Sequence, residues 1–152
     1  METLRYEIQI AATPEFVWEV LTAETSYKEW VTAFSDNSYM VGEWKQGTEI
    51  DCLDPDYGGS RATLEVVDYP NEITMRHTAL ISKEGVLSTT GEEADKWIGT
   101  VERYLLSADG EKTRLVMENI CHVDFKTMFD NACPVALATI KSLSEASDTR
   151  NN

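Results

Sequence analysis

The chain has 152 residues, one domain by length, and a domain of that size buries roughly 68–70% of its unfolded surface without a staple. Hydrophobic residues make up 42% and charged residues 26%, which excludes a disordered or fibrous chain. Lys and Arg number 13 against 27 Asp and Glu, and the net charge of -14 repels phosphate backbones and anionic headgroups, leaving neutral, apolar or cationic partners.

No stretch approaches the roughly 18–20 apolar residues of a membrane span. Met1 to Glu7 lack the basic-then-apolar pattern of a secretory signal. Cys52, Cys121 and Cys133 are odd in number and form no Cys-x-x-Cys pair, the pattern of reduced thiols. The expectation is a cytoplasmic protein that binds neither nucleic acid nor membrane.

In chain order, Leu4, Tyr6, Ile8 and Ile10 alternate with polar residues, which predicts a half-buried strand. Thr13-Pro14-Glu15 then supplies a cap, a first-turn proline and an acidic residue at the positive helix end. Phe16, Val17, Val20 and Leu21 follow at helical spacing. After a break, Tyr27, Trp30, Val31 and Phe34 repeat it, so two short helices are predicted. From residue 38 to 121 the period falls to two. Predicted strands run over 39–44, 48–53, 61–69, 73–81, 97–106 and 113–121, punctuated by glycine and proline turns of which Asp109-Gly110 is the sharpest. Residues 83–96 read as a mobile acidic loop that can include one broken strand. Phe125, Phe129, Ala132, Cys133, Ala136, Leu137, Ile140 and Leu143 mark one face of a long last helix, with Pro134 inside it. Residues 1–145 form the predicted domain and 146–152 a polar tail.

These elements assemble as an α+β fold. A curved antiparallel sheet of about seven strands wraps the C-terminal helix, and the two short helices after strand 1 plug one end. One helix cannot fill a strongly curved sheet, so a ligand cavity is expected between them.

Several short motifs stand in a fixed order: Ala12 to Trp18 with Leu21-Thr22, Tyr27 to Trp30, Gly42 to Thr48, Ala62 to Val67 with Pro70, Lys112 to Leu115, and Cys133 to Leu137 with Ile140 to Leu143. Their order and spacing resemble the START-like, or SRPBCC, superfamily of helix-grip proteins. They are most similar to homologues of the C-terminal domain of the activator of the ninety-kilodalton heat-shock chaperone's ATPase. The resemblance implies a helix-grip fold. It also implies carriage of hydrophobic molecules, cyclisation or dehydration of substrates, or modulation of a chaperone. No single catalytic motif spans the superfamily, so no catalytic residue and no cofactor is carried across.

Trp30, Phe34, Met40, Met75, Trp97, Met117 and Phe129 are expected at the sheet–helix interface, where aromatics and thioethers suit an adaptable apolar pocket. Cys133 and Ile140 complete that face on the helix. His77 shares the parity of Ile73 and Met75 and is expected to point inward, with Asn119 the second polar candidate. Arg76 and Arg103 are expected on the solvent face. Cys121-His122, Asp124 and Cys133 lack zinc-site spacing. Cys121 and His122 point to opposite faces of a strand and make no nucleophile pair. Asp54 to Glu65 matches part of a calcium loop but offers Gly58 at its fifth position and has strands for flanks, so a glycine turn is expected. The leading functional expectation is binding of a lipid-like or aromatic molecule in the cavity, with access between Gly58-Gly59 and residues 83–96. A cyclase or hydratase using the same cavity is the alternative. A protein-interaction module that modulates a chaperone ATPase is the third possibility.

Overall fold

In the computed structural model, residues 1–150 are described, with side chains described as far as residue 146. Strand β1 (Glu2–Ile10) buries Leu4 and Ile10 and exposes Thr3, Arg5, Glu7 and Gln9, as its alternation requires. Helix α1 (Pro14–Thr22) opens where the Thr13 hydroxyl accepts from the Phe16 amide at 3.3 Å, and it buries Val17, Trp18, Val20 and Leu21. Helix α2 (Glu24–Trp30) comes next and runs into one 3-10 turn at Val31–Ala33.

The sheet is built from β2 (Tyr39–Val41), β3 (Glu49–Asp54), β4 (Gly58–Asp68), β5 (Glu72–Ile81), β6 (Leu87–Ser88), β7 (Val101–Asp109) and β8 (Lys112–Cys121) together with β1. All pairings are antiparallel. The order is β1-β8-β7-β5-β4-β3-β2, with the two-residue β6 attached to the end of β5. Two bulges between β4 and β5 sharpen the curl: Thr78 is the extra residue on β5 and Glu65 on β4. A short helix, α3 (Glu92–Trp97), stands between β6 and β7. Helix α4 (Lys126–Arg150) lies across the concave face. Its Phe129, Cys133, Ala136, Leu137 and Ile140 are fully or almost fully buried in one core with Leu4, Ile10, Leu64, Ile73, Leu115 and Met117. Polar bonds fasten it to β1 and to Ala11, the first residue beyond that strand. The Tyr6 hydroxyl donates to Asp130 at 2.5 Å, Lys141 Nζ to the Gln9 carbonyl at 3.0 Å, and the Ala11 amide to Glu145 at 2.8 Å.

Several sequence expectations change. Residues 83–96 hold the short strand allowed for there, β6, and in addition most of α3, whose one buried apolar residue, Ala94, gives no periodic signal. The strand expected from Trp97 starts at Val101, because the chain turns at Gly99 with φ at 93°. The strand expected over 39–44 stops at Val41. The last helix continues to Arg150 through most of the segment expected as a tail, whose residues 151 and 152 lie outside the described residues. Pro134 sits inside α4, and the helix runs through it. Among the described residues no helix is long and apolar enough to cross a membrane.

Candidate ligand cavity

At one end of the sheet–helix interface the side chains part around a cavity of about 360 Å³, within the size range of small-molecule sites. Its walls come from α2 and the turn after it (Tyr27, Trp30, Val31, Phe34), from the β3–β4 hairpin (Cys52 to Asp54, Tyr57 to Ser60), and from β5 and β7 (Met75, His77, Glu102, Tyr104). Trp97 at the end of α3, with Met128 and Phe129 at the start of α4, completes them. The aromatic rings brace one another edge to face. Tyr27–Trp30, Trp30–Tyr104 and Phe34–Phe129 stand 5.2, 5.9 and 6.4 Å apart between centroids, while Trp97 and Phe129 stack at 6.3 Å. Exposed Tyr57 and Met128, with half-buried Ser35 and Ser38, mark the mouth.

The hairpin rim depends on its two glycines. A side-chain carbon on Gly58, where φ is 83°, would stand 2.2 Å from the Ile81 carbonyl oxygen, and one on Gly59 would stand 1.8 Å from that of Cys52. Beside them the Asp54 carboxylate accepts from the Ser35 hydroxyl and from the amides of Asp56 at 2.8 Å and Asn37 at 3.2 Å. The Ser35 hydroxyl foremost, and these amides, hold its carboxyl below the usual carboxylate range.

Inside, the polar groups form one chain. His77, only 2% exposed, bonds Ser60 Oγ through Nδ1 (2.8 Å) and Glu102 Oε2 through Nε2 (2.5 Å). Its backbone is pinned too, with its amide on the Thr100 carbonyl and its carbonyl on the Gly99 amide, both at 2.9 Å. The Trp97 ring lies 4.7 Å from the imidazole between centroids. The indole N–H groups of Trp30 and Trp97 are buried without an acceptor among the described residues. Burial raises the Tyr27 and Tyr104 hydroxyls well above the ordinary tyrosine range and pushes the Cys52 thiol up to about 12. The carboxylic acids in the lining are Asp54 and Glu102. No Lys or Arg contributes to it among the described residues.

Of the residues expected around a pocket, Trp30, Phe34, Met75, His77, Trp97 and Phe129 meet in this wall. Met40 lies elsewhere, beside Gly42 and Trp44 in a separate small crevice. Met117, Asn119, Cys133 and Ile140 are packed in solid core, where the Asn119 amide donates to Cys133 Sγ at 3.3 Å. They stand apart from the cavity because Ala132, Cys133 and Ala136 let α4 settle directly on the sheet there. The mouth also differs from expectation. Gly58 and Gly59 line it, but residues 83–96 border a shallower neighbouring groove with Tyr57 and contribute nothing to the cavity itself. Arg76 and Arg103 face solvent, bonded to Glu65 at 3.0 Å and Glu118 at 3.2 Å. Ser60, Glu102 and Tyr104 were not singled out from sequence, and Tyr27 was named for its helix and not for a pocket. Period two contained a signal for the first two: Ser60 shares its parity with Ala62 and Leu64, and Glu102 with Tyr104 and Leu106.

No family model matches the chain, and no curated protein matches it in sequence. Solved structures do match over nearly its whole length. An Aha1 dimer from Colwellia psychrerythraea superposes with a TM-score of 0.72 at 20% identity, covering 95% of this chain and 97% of that one. The chain has a START-like helix-grip fold. A Mesorhizobium loti protein, MLL2253, gives 0.71 at 16% identity over 93% and 96% of the two chains. CalU16 from Micromonospora echinospora gives 0.62 at 12% identity over 93% of this chain and 73% of that one. At such identities a START-like likeness speaks of architecture, and function rests on the site.

Proposed function

We propose that the cavity binds a small hydrophobic molecule, aromatic or lipid-like in its body and not anionic. The observation that carries this is a cavity of about 360 Å³ walled mainly by aromatic rings, with Asp54 and Glu102 as the charged groups of its described lining. The absence of Lys and Arg from the described lining, beside Asp54 and Glu102, works against fatty acids and phosphates. The buried His77–Glu102 pair favours a second reading, in which a cyclase or hydratase reaction takes place on the bound molecule. A chaperone-modulating interaction through the acidic surface stands behind both.

Native mass spectrometry of gently purified protein tests the proposal, together with titration of a neutral naphthylamine dye. The expected result is a stoichiometric adduct or saturable dye binding, weakened about tenfold or more by Ser38→Trp at the mouth. Clean apo protein that neither binds the dye nor responds to a broad thermal-shift panel overturns it.

A further inference from the structure

We infer that the cavity is also a reaction site, in which Ser60 is the nucleophile, His77 its base and Glu102 the group that orients the base, acting on uncharged esters or thioesters. This rests on the reading of the cavity as a ligand site and adds a covalent step to it. Three side chains from β4, β5 and β7 meet in the wall. Their protons are set by their partners. A carboxylate only accepts, so Nε2 of His77 carries the hydrogen directed at Glu102. In the neutral imidazole Nδ1 is then the bare nitrogen, and the Ser60 hydroxyl 2.8 Å away is placed to donate to it. A serine hydrogen-bonded to an imidazole that is itself held by a carboxylate is the arrangement of an activated nucleophile. Here the two ring nitrogens exchange the roles they have in serine proteases. The bulge at Thr78 makes the contact: Ala62 pairs with His77 and Ser60 with Leu80, so Ser60 lies diagonally from His77 on the inward face.

The step balances with water as the only co-reactant. Ser60 Oγ bonds to the acyl carbon as its proton passes to Nδ1, and the imidazolium stays paired with Glu102. The bond from the acyl carbon to the leaving oxygen or sulfur then breaks, and that atom takes the proton from Nδ1. Water adds next and gives a proton to Nδ1. The Ser60 ester bond breaks, Oγ recovers the proton, and a carboxylic acid leaves. Trp97 packs against the imidazole at 4.7 Å between centroids and limits its movement. The acid product ionises in a cavity with two carboxylates and no cation among its described lining residues, which favours its release.

The experiment mixes purified protein with p-nitrophenyl butyrate and, separately, with an uncharged alkyl fluorophosphonate, and follows the neutral naphthylamine dye as a report on the cavity. The expected result is one acyl or phosphonyl group per chain, mapped to Ser60, with a matching burst of p-nitrophenolate. Ser60→Ala takes no label while still unfolding cooperatively in urea. Glu102→Gln also unfolds cooperatively and is labelled about 100-fold more slowly. Dye binding without a label, or a label that survives Ser60→Ala, overturns the reaction site and leaves the ligand site standing. Failure of both dye and label overturns the two together.

Discussion

The two ends of helix α4 meet the same sheet in different ways. Toward its C-terminus, Cys133, Ala136, Leu137 and Ile140 are at most 3% exposed, and they share one filled core with the apolar residues of β1 and β8. At its N-terminus, Phe129 and Met128 stand over a cavity whose walls are rings braced on rings. Small side chains let a helix approach a sheet until nothing remains between them, whereas aromatic pillars hold the two surfaces apart. One half of the interface therefore supplies stability, and the other half has room for chemistry.

The largest effect that separates the halves is a truncation series. Ile140→Ala in the filled half is expected to cost about 3 kcal/mol, within the range for a buried isoleucine, read as the shift in urea midpoint at constant slope. Phe34→Ala in the cavity half is expected to cost less, about 1–2 kcal/mol, because that side chain is half-buried and already borders open space. It should change dye affinity far more than Ile140→Ala does. Equal costs for the two would erase the distinction.

Acid is expected to loosen the rim of the cavity. The folded Asp54 carboxyl lies below its unfolded value, held there by the Ser35 hydroxyl and neighbouring amides. Its contribution is present above the unfolded carboxylate pKa, near 4, and is lost as pH falls through the folded value. Ser35→Ala removes the foremost cause. Acid loosening of the hairpin, monitored by Tyr57 or Trp fluorescence, is then expected to begin at higher pH than in the unaltered protein. An unchanged acid profile would remove Asp54 from the rim's stability.

The smallest effect compares two thiols. Burial pushes both Cys52 and Cys133 up to about 12, so both are expected to react slowly with iodoacetamide at pH 8. A bound dye should slow Cys52, which lines the cavity, and leave Cys133 unaffected. Protection of both, read by peptide mass spectrometry, would mean that the dye stabilises the whole domain and does not simply fill one end.

The START-like architecture was largely legible in the residue order. Period-two alternation in β1, the Thr13-Pro14 start of α1 and the apolar stripe of α4 each carry their own local cause. Helix α3 was not legible, because Glu92, Glu93 and Asp95 leave it no apolar stripe, and its placement comes from the chain packing Ala94 and Trp97 against the sheet. For the site, alternation reported which way Met75 and His77 point but not how far the helix stands off. Asn119 and Cys133, on the right face, therefore turned out to bond one another in solid core. Ser60 and Glu102 passed unremarked because a single acidic or hydroxyl residue on an apolar face looks like surface until its partner on a neighbouring strand is known.

Strand β5 changes neighbours part-way along. It pairs with β7 as far as Arg76, then continues beside β6, and Gly99 and Thr100, between β6 and β7, bond back to its backbone at His77. Trp97 thus reaches the cavity from a detour that lies outside the main ladder of strands. Residues 82–100 are consequently a replaceable cassette. A stretch of different length or sequence can be grafted there, and one wall of the cavity redrawn, while every strand register of the seven-stranded path is retained.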